Sequence, residues 1–129
     1  MQVRKQLSVF LKNEPGVLST LTSDLTDHNI DILGLTVSDT VDHAVVRLMV
    51  SDPERAVDIL ESAGQLVVES EVLVLQLTNK RGALEDLSRR LAKAKINIEY
   101  AYGTVGSSEK KGVLVIRVSD TKRAIKILR

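Results

Sequence analysis

The sequence has no cysteine and no tryptophan, and only one phenylalanine and two tyrosines among 129 residues. Without cysteine there is no disulfide scaffold, zinc ribbon, iron-sulfur site or thiol catalysis, and a reducing, intracellular setting is permitted. Redox chemistry is not expected. No apolar run approaches the roughly 20 residues of a membrane span. The stretch Leu7-Ser8-Val9-Phe10-Leu11, behind Arg4 and Lys5, is closed by Lys12 and is too short for a signal-peptide core. The expectation is a cytoplasmic protein with no membrane association.

Excess charge is missing too, since the formal net charge is +1 with 43% hydrophobic and 27% charged residues. That is ordinary globular composition, far from the profile of disorder. The length suits one domain, or two small ones sharing a core. The near-neutral total hides an asymmetry. Residues 1–66 hold 5 Lys/Arg and 10 Asp/Glu, whereas residues 67–129 hold 13 and 7.

The chain also repeats itself. Leu11-Lys12-Asn13-Glu14-Pro15-Gly16-Val17-Leu18 aligns with Leu77-Thr78-Asn79-Lys80-Arg81-Gly82-Ala83-Leu84, and Ile30 and Ile32 with Ile96 and Ile98, at an offset of 66. Further on the offset becomes 68, where Val50-Ser51-Asp52 meets Val118-Ser119-Asp120, and Arg55-Ala56 meets Arg123-Ala124. The two-residue shift falls at the turn-rich segment Gly103 to Ser108, where an insertion is tolerated. Shared Asn, Gly, Ser-Asp and Arg-Ala positions favour duplication over chance matching of apolar residues.

Each copy gives one element order. Val3, Leu7, Val9 and Leu11 alternate as a strand, matched by Val72 to Leu77. Val17, Leu18, Leu21 and Leu25 form a helical stripe with Pro15 at its start and Asn29 at its exit, matched by Leu84, Leu87 and Leu91, with Ala92 and Ala94 extending the face. A hairpin follows, Ile30 to Asp39 with Ala44 to Val50, repeated as Ile96 to Val105 with Gly112 to Val118. Asp52-Pro53 opens a second helix that stops before Gly64, and Leu66 to Glu69 reads as a fourth strand.

The predicted fold is α+β: two ferredoxin-like βαββαβ units with antiparallel sheets and helices on one face, at residues 1–70 and 71–129. The second unit lacks its last strand, because Arg129 follows the equivalent of Leu60. Either the chain given is trimmed or another segment covers the edge at Val72 to Leu77, since an open edge invites association.

Such a fold hosts many functions, so the site must carry the claim. The two strand-to-helix turns place an Asn before the helix and a Gly in its first turn, leaving backbone N–H groups at the positive end of the helix dipole, a ready site for a carboxylate. Asn as a plain N-cap, with Gly serving the turn, accounts for the same residues.

Asn-x-x-Gly-x-Leu after an alternating strand, a helix, and then Ile-Asp/Asn-Ile opens the next strand in both copies, and this resembles the ACT domain, a small regulatory module that binds amino acids. Asn13, Gly16, Leu18 and Ile30-Asp31-Ile32 carry it first; Asn79, Gly82, Leu84 and Ile96-Asn97-Ile98 carry it again. The resemblance implies binding at interfaces of paired modules, by the strand-helix turn and the start of the second strand. By position it implicates Asn13, Glu14, Gly16, Val17 and Asp31, and Asn79, Arg81, Gly82, Ala83 and Asn97. Arg81 replaces the Pro of the first turn and either holds a carboxylate or is simply solvated.

Other candidates for chemistry are few. His28 and His43 lack metal spacing with carboxylates and read as solvated, and no nucleophile motif is present. Gly103 to Ser108 is not a P-loop, lacking a following helix and lysine. Tyr100 and Tyr102 read as packing against a neighbouring sheet. Arg89, Arg90, Lys93 and Lys95 raise a nucleic-acid reading, which the shortage of stacking aromatics disfavours.

The expected function is a tandem ACT-like sensor of a free amino acid, regulatory and allosteric, with no catalytic activity, no metal and no cofactor. The alternative is a regulatory or docking subunit of a biosynthetic enzyme, similar to the small subunits that serve acetolactate synthase. The opposed charges of the halves predict a head-to-tail homodimer, with internal pairing of the two modules as the competing outcome.

Overall fold

The computed structural model describes residues 1–78, 81–104 and 111–129. The order is β1 (Gln2–Lys12), α1 (Val17–Thr26), β2 (Ile32–Asp39), β3 (His43–Val50), α2 (Pro53–Ser62), β4 (Leu66–Thr78), α3 (Ala83–Lys93), β5 (Ile98–Thr104), β6 (Lys111–Val118) and α4 (Thr121–Leu128). The α+β class and the doubled strand and helix order follow the sequence pattern. No helix of the described residues is long and apolar enough to cross a membrane.

The expectation of two separate sheets is corrected. Hydrogen-bonded neighbours run β2-β3-β1-β4-β6-β5, a six-stranded sheet. The strand expected at Leu66 to Glu69 and the one expected at Val72 to Leu77 are a single 13-residue strand, β4. The linking residues Glu69-Ser70-Glu71 include no Gly, Pro or Asn to turn the chain.

Two compact units result, Lys5–Ser70 and Met1–Arg4 with Glu71–Arg129. We call them the first and the second unit. The first has β2, β3, the main part of β1 and the start of β4, with Leu7 opposite Leu48 and Val9 opposite Val46. Leu35 and Val37 extend the same rows from β2. Its core gathers Leu7, Val9, Leu11, Leu21, Leu25, Val46, Leu48, Ala56 and Leu60 under α1 and α2, with Val67 of β4 packed against it.

The second unit repeats this with Leu73 opposite Ile116 and Leu75 opposite Leu114, over a core that includes Leu87, Leu91, Ile96, Val118 and Ala124. Met1–Arg4 group with this unit although they begin β1. The edge expected at Val72 to Leu77 is therefore not simply open: β4 lies between β1 and β6, and Val72 and Leu73 are fully buried.

The most persistent repeat residues tie these elements together. The Ser51 hydroxyl accepts from the Asp31 N–H at 2.9 Å, and Ser119 accepts from the Asn97 N–H at 2.9 Å. Asp52 and Asp120 cap α2 and α4 through the N–H groups of Arg55 and Arg123. Those arginines reach back to carbonyls at the ends of α1 and α3, Arg55 to His28 at 3.0 Å and Arg123 to Ala94 at 2.8 Å. The shared Ser-Asp-x-x-Arg pattern is thus a clasp between the hairpin and both helices of each unit.

Candidate functional site

Both helices expected to carry the site begin at a glycine. Gly16 is the N-cap of α1 at φ +86°, and Gly82 that of α3 at φ +89°, left-handed conformations that L side chains rarely adopt. A Cβ at either position would meet nothing within 4 Å, so backbone conformation, not crowding, calls for glycine. Neither helix has a side-chain cap. The N-cap account of Asn13 does not hold: the residue lies outside the helix, is exposed, and its side chain makes no hydrogen bond among the described residues. Asn79 lies outside the described residues.

Thr20 and Asp86 N–H groups close the first helical turns onto the Gly16 and Gly82 carbonyls, at 3.0 and 2.9 Å. Among the described residues the N–H groups just before them have no side-chain acceptor, which leaves the partial positive charge of the helix end uncompensated by a side chain there. Glu14 and Arg81 are exposed beside these turns, while Val17 and Ala83 are half-buried where each helix enters its unit.

Asp31 and Asn97 stand elsewhere. In the ladders of the first unit Lys12 is opposite His43, at the start of β3, whereas Ile32 is opposite Val50, at its end. Asn13, Glu14, Gly16 and Val17 gather at one end and Asp31 at the other, separated by the length of the 10-residue α1, about 15 Å at helical rise. The second unit separates Arg81, Gly82 and Ala83 from Asn97 in the same way across α3. Within one unit, a free amino acid is too short to touch both groups.

Cavities at the two turns differ in character. That of the first unit, 390 Å³, is lined by Lys12, Asn13, Glu14, Val41, Asp42 and His43. That of the second, 610 Å³, runs along β4 from Val74 to Thr78 and includes Ala83, Asp86, Leu87 and Arg90. Val41, Asp42 and His43 are candidates that reading the sequence missed. Their signal was the topology: β1 and β3 are antiparallel neighbours, so the β2–β3 turn must lie beside the end of β1. His28, just past α1, donates from Nδ1 to the Asp24 carbonyl within it, at 2.7 Å. Tyr100 and Tyr102 are half-buried on β5, opposite Arg117 and Val115. Among the described residues no group of His, Asp and Glu has the arrangement of a metal site.

The sequence matches the ACT domain pair family over residues 1–129. A solved protein of Bacteroides thetaiotaomicron, BT0572, is similar over 98% of this chain and 86% of its own, at 32% identity and a TM-score of 0.92. The regulatory subunit of aspartate kinase from Thermus thermophilus has the same fold, with 14% identity over 99% of this chain and 95% of its own and a TM-score of 0.69. Its counterpart from Thermus flavus gives 14% identity, 99% and 92% coverage, and 0.72. A search of curated proteins gave no match.

Proposed function

Since the chain belongs to the ACT domain pair family, we propose that it is a non-catalytic cytoplasmic regulatory protein that binds a free amino acid at its strand-to-helix turns. The observation that carries this reading is the recurrence of a helix N-terminus opened by a left-handed glycine and left without a side-chain cap, at Gly16 and Gly82. Such an end offers backbone donors and a favourable dipole to the ligand carboxylate. Asn13, Glu14 and Val17 form the surroundings in the module of residues 1–70; Asn79, Arg81 and Ala83 do so in the module of residues 71–129. Asp31 and Asn97 stand a helix length from the turn of their own unit, so they take part where a second copy of the chain brings them to a turn. The two sites differ in chemistry and bind unequally.

Regulation requires the ligand to favour one arrangement of modules over another. The test is calorimetry and thermal shift against the twenty amino acids: one or two should raise the melting temperature, as a ligand of the native state must. No heat and no shift with any of them at millimolar concentration would reject the reading. A second reading, a regulatory chain that docks on a separate biosynthetic enzyme, is favoured by the coverage of the aspartate kinase regulatory subunits at 95% and 92% of their length. A homodimer joining acidic to basic surfaces is compatible with both, and light scattering at low and high salt decides it.

A further inference from the structure

In the first unit α1 and α2 pack against each other over the core, and in the second α3 and α4 do the same, so each pair presents one outer surface. The repeat aligns these surfaces residue by residue. At four positions the charge is inverted: Asp24, Asp27, Glu54 and Asp58 of the first unit stand where Arg90, Lys93, Lys122 and Lys126 stand in the second. Asp24 is half-buried and the other seven are exposed. Charges of the contrary sign on these helices are engaged within their own unit. Arg55 donates to the His28 carbonyl at 3.0 Å, and Glu85 and Asp86 are both bonded to Arg89, at 2.9 and 2.8 Å. Arg90 also donates to the Ile127 carbonyl.

Helix stability explains only part of this pattern. Lys93 and Lys126 lie in the last turns of α3 and α4, and Glu54 in the first turn of α2, where each complements the helix dipole. Asp24, Asp27 and Lys122 do the opposite. Asp24 is in the last turn of α1 and Asp27 is its C-cap, at the negative end of the dipole, while Lys122 is in the first turn of α4, at the positive end. Charges set against their own helices, yet matching their neighbours in sign, point to something outside the unit. The acidic surface also has a cleft of 380 Å³, lined by Asp24, His28, Asp58, Ile59, Ser62 and Ala63. Ile59 and Ala63 suit the methylene stem of a lysine, with carboxylates at hand for its ammonium group.

We propose that the α1/α2 surface of one chain docks on the α3/α4 surface of a second copy, with lysine side chains of the second entering the cleft of the first. Because all four positions are acidic on one surface and basic on the other, any register of the two brings opposite charges together. Like surfaces repel, so neither pairs with itself. The contact joins two different patches, and it occurs twice about a two-fold axis or continues from copy to copy. Exposed ion pairs contribute little singly, so the association is weak and sensitive to salt. It does not rest on amino-acid binding at Gly16 and Gly82, and its failure would leave that reading standing.

Two variants of the full chain test the contact, one with Asp27→Lys and Asp58→Lys, the other with Lys122→Glu and Lys126→Glu. Asp27→Lys and Lys122→Glu each remove a charge opposed to a helix dipole, so both variants should fold, which circular dichroism checks. In light scattering at low salt the unaltered chain should gain mass with concentration through the micromolar range. Salt at 1 M, where the Debye length falls to about 3 Å, should largely abolish the gain. Each variant alone should associate about tenfold more weakly. An equimolar mixture of the two should recover association, because the reversed surface of each meets a complementary surface of the other at both contacts. Asp39→Lys with Glu69→Lys changes the net charge as the first variant does, but on exposed strand residues, and should have no such effect. The proposal is overturned by a chain that stays monomeric at low salt, by association that the reversals leave unchanged, by a mixture as weak as its components, or by an equal loss in the strand variant.

Discussion

Ser51 and Ser119 hold the two hairpins by the same hydrogen bond at the same 2.9 Å, and the caps and arginine clasps around them recur almost unchanged. Asp24 and Arg90, at equivalent positions, are opposite in charge, and the turn cavities share almost no chemistry. After the duplication the ties stayed while the surfaces diverged. A module can change what it senses or touches this way, because an exposed side chain without a partner contributes little to stability, whereas one that caps a helix or bonds a backbone group contributes about 1 kcal/mol. The start of β1 divides the two as well, since Met1–Arg4 group with the second unit and Lys5–Lys12 with the first.

The sharpest way to break the equivalence is at Leu60 and Leu128, one repeat position in α2 and α4. Leu60 is fully buried in its core, whereas Leu128 is half-buried at the edge of the other. Leu60→Ala should cost about 2–5 kcal/mol, since a closed core keeps the cavity, and Leu128→Ala about 1 kcal/mol or less, since solvent already reaches the site. Urea unfolding of the two variants gives the difference. Equal losses would mean that the two cores are closed to the same degree.

Much of this was legible in the sequence. The clasp residues stood out because backbone groups need partners at the same points in both copies, and the helical stripes led to Leu21, Leu25, Leu87 and Leu91 in the cores. Leu18 and Leu84, on the same stripes, are exposed at 41% and 52%, because they lie in the first turn beside the open helix end. What periodicity could not give was adjacency. An alternating strand reveals which face is buried but not which strand lies beside it, so neither the continuity of β4 nor the grouping of Met1–Arg4 with a segment some 70 residues away in sequence was readable. The capping residue was ambiguous for a different reason. Asn-x-x-Gly offers two candidates, and only the observed φ of Gly16 decides for glycine.

A second comparison should find equality. Gly16→Ala and Gly82→Ala each force a Cβ into a left-handed conformation with open space around it, so strain alone acts, about 1–2 kcal/mol in either unit. Asp52→Ala and Asp120→Ala each remove a helix cap, about 1 kcal/mol apiece. Thermal unfolding of the four variants checks both pairs. A pair whose members differ by more than their common loss would show that the repeat is not held alike in the two units.

The smallest expected effect on stability is the most informative about function. Asn13 caps nothing, is exposed and has no side-chain hydrogen bond among the described residues, so Asn13→Ala should change stability by no more than about 0.5 kcal/mol. If an amino acid binds at that turn, the lost amide should weaken it about tenfold, or about 1.4 kcal/mol. Asp31→Ala is the paired probe. Its N–H bond to Ser51 is a backbone bond and survives the change, so stability should again hold. Because Asp31 lies a helix length from Asn13, a loss of affinity in both variants requires a second copy of the chain to complete the site. A loss in Asn13→Ala alone confines it to one turn, and unchanged affinity in both sends the search to the β2–β3 turn at Asp42 and His43.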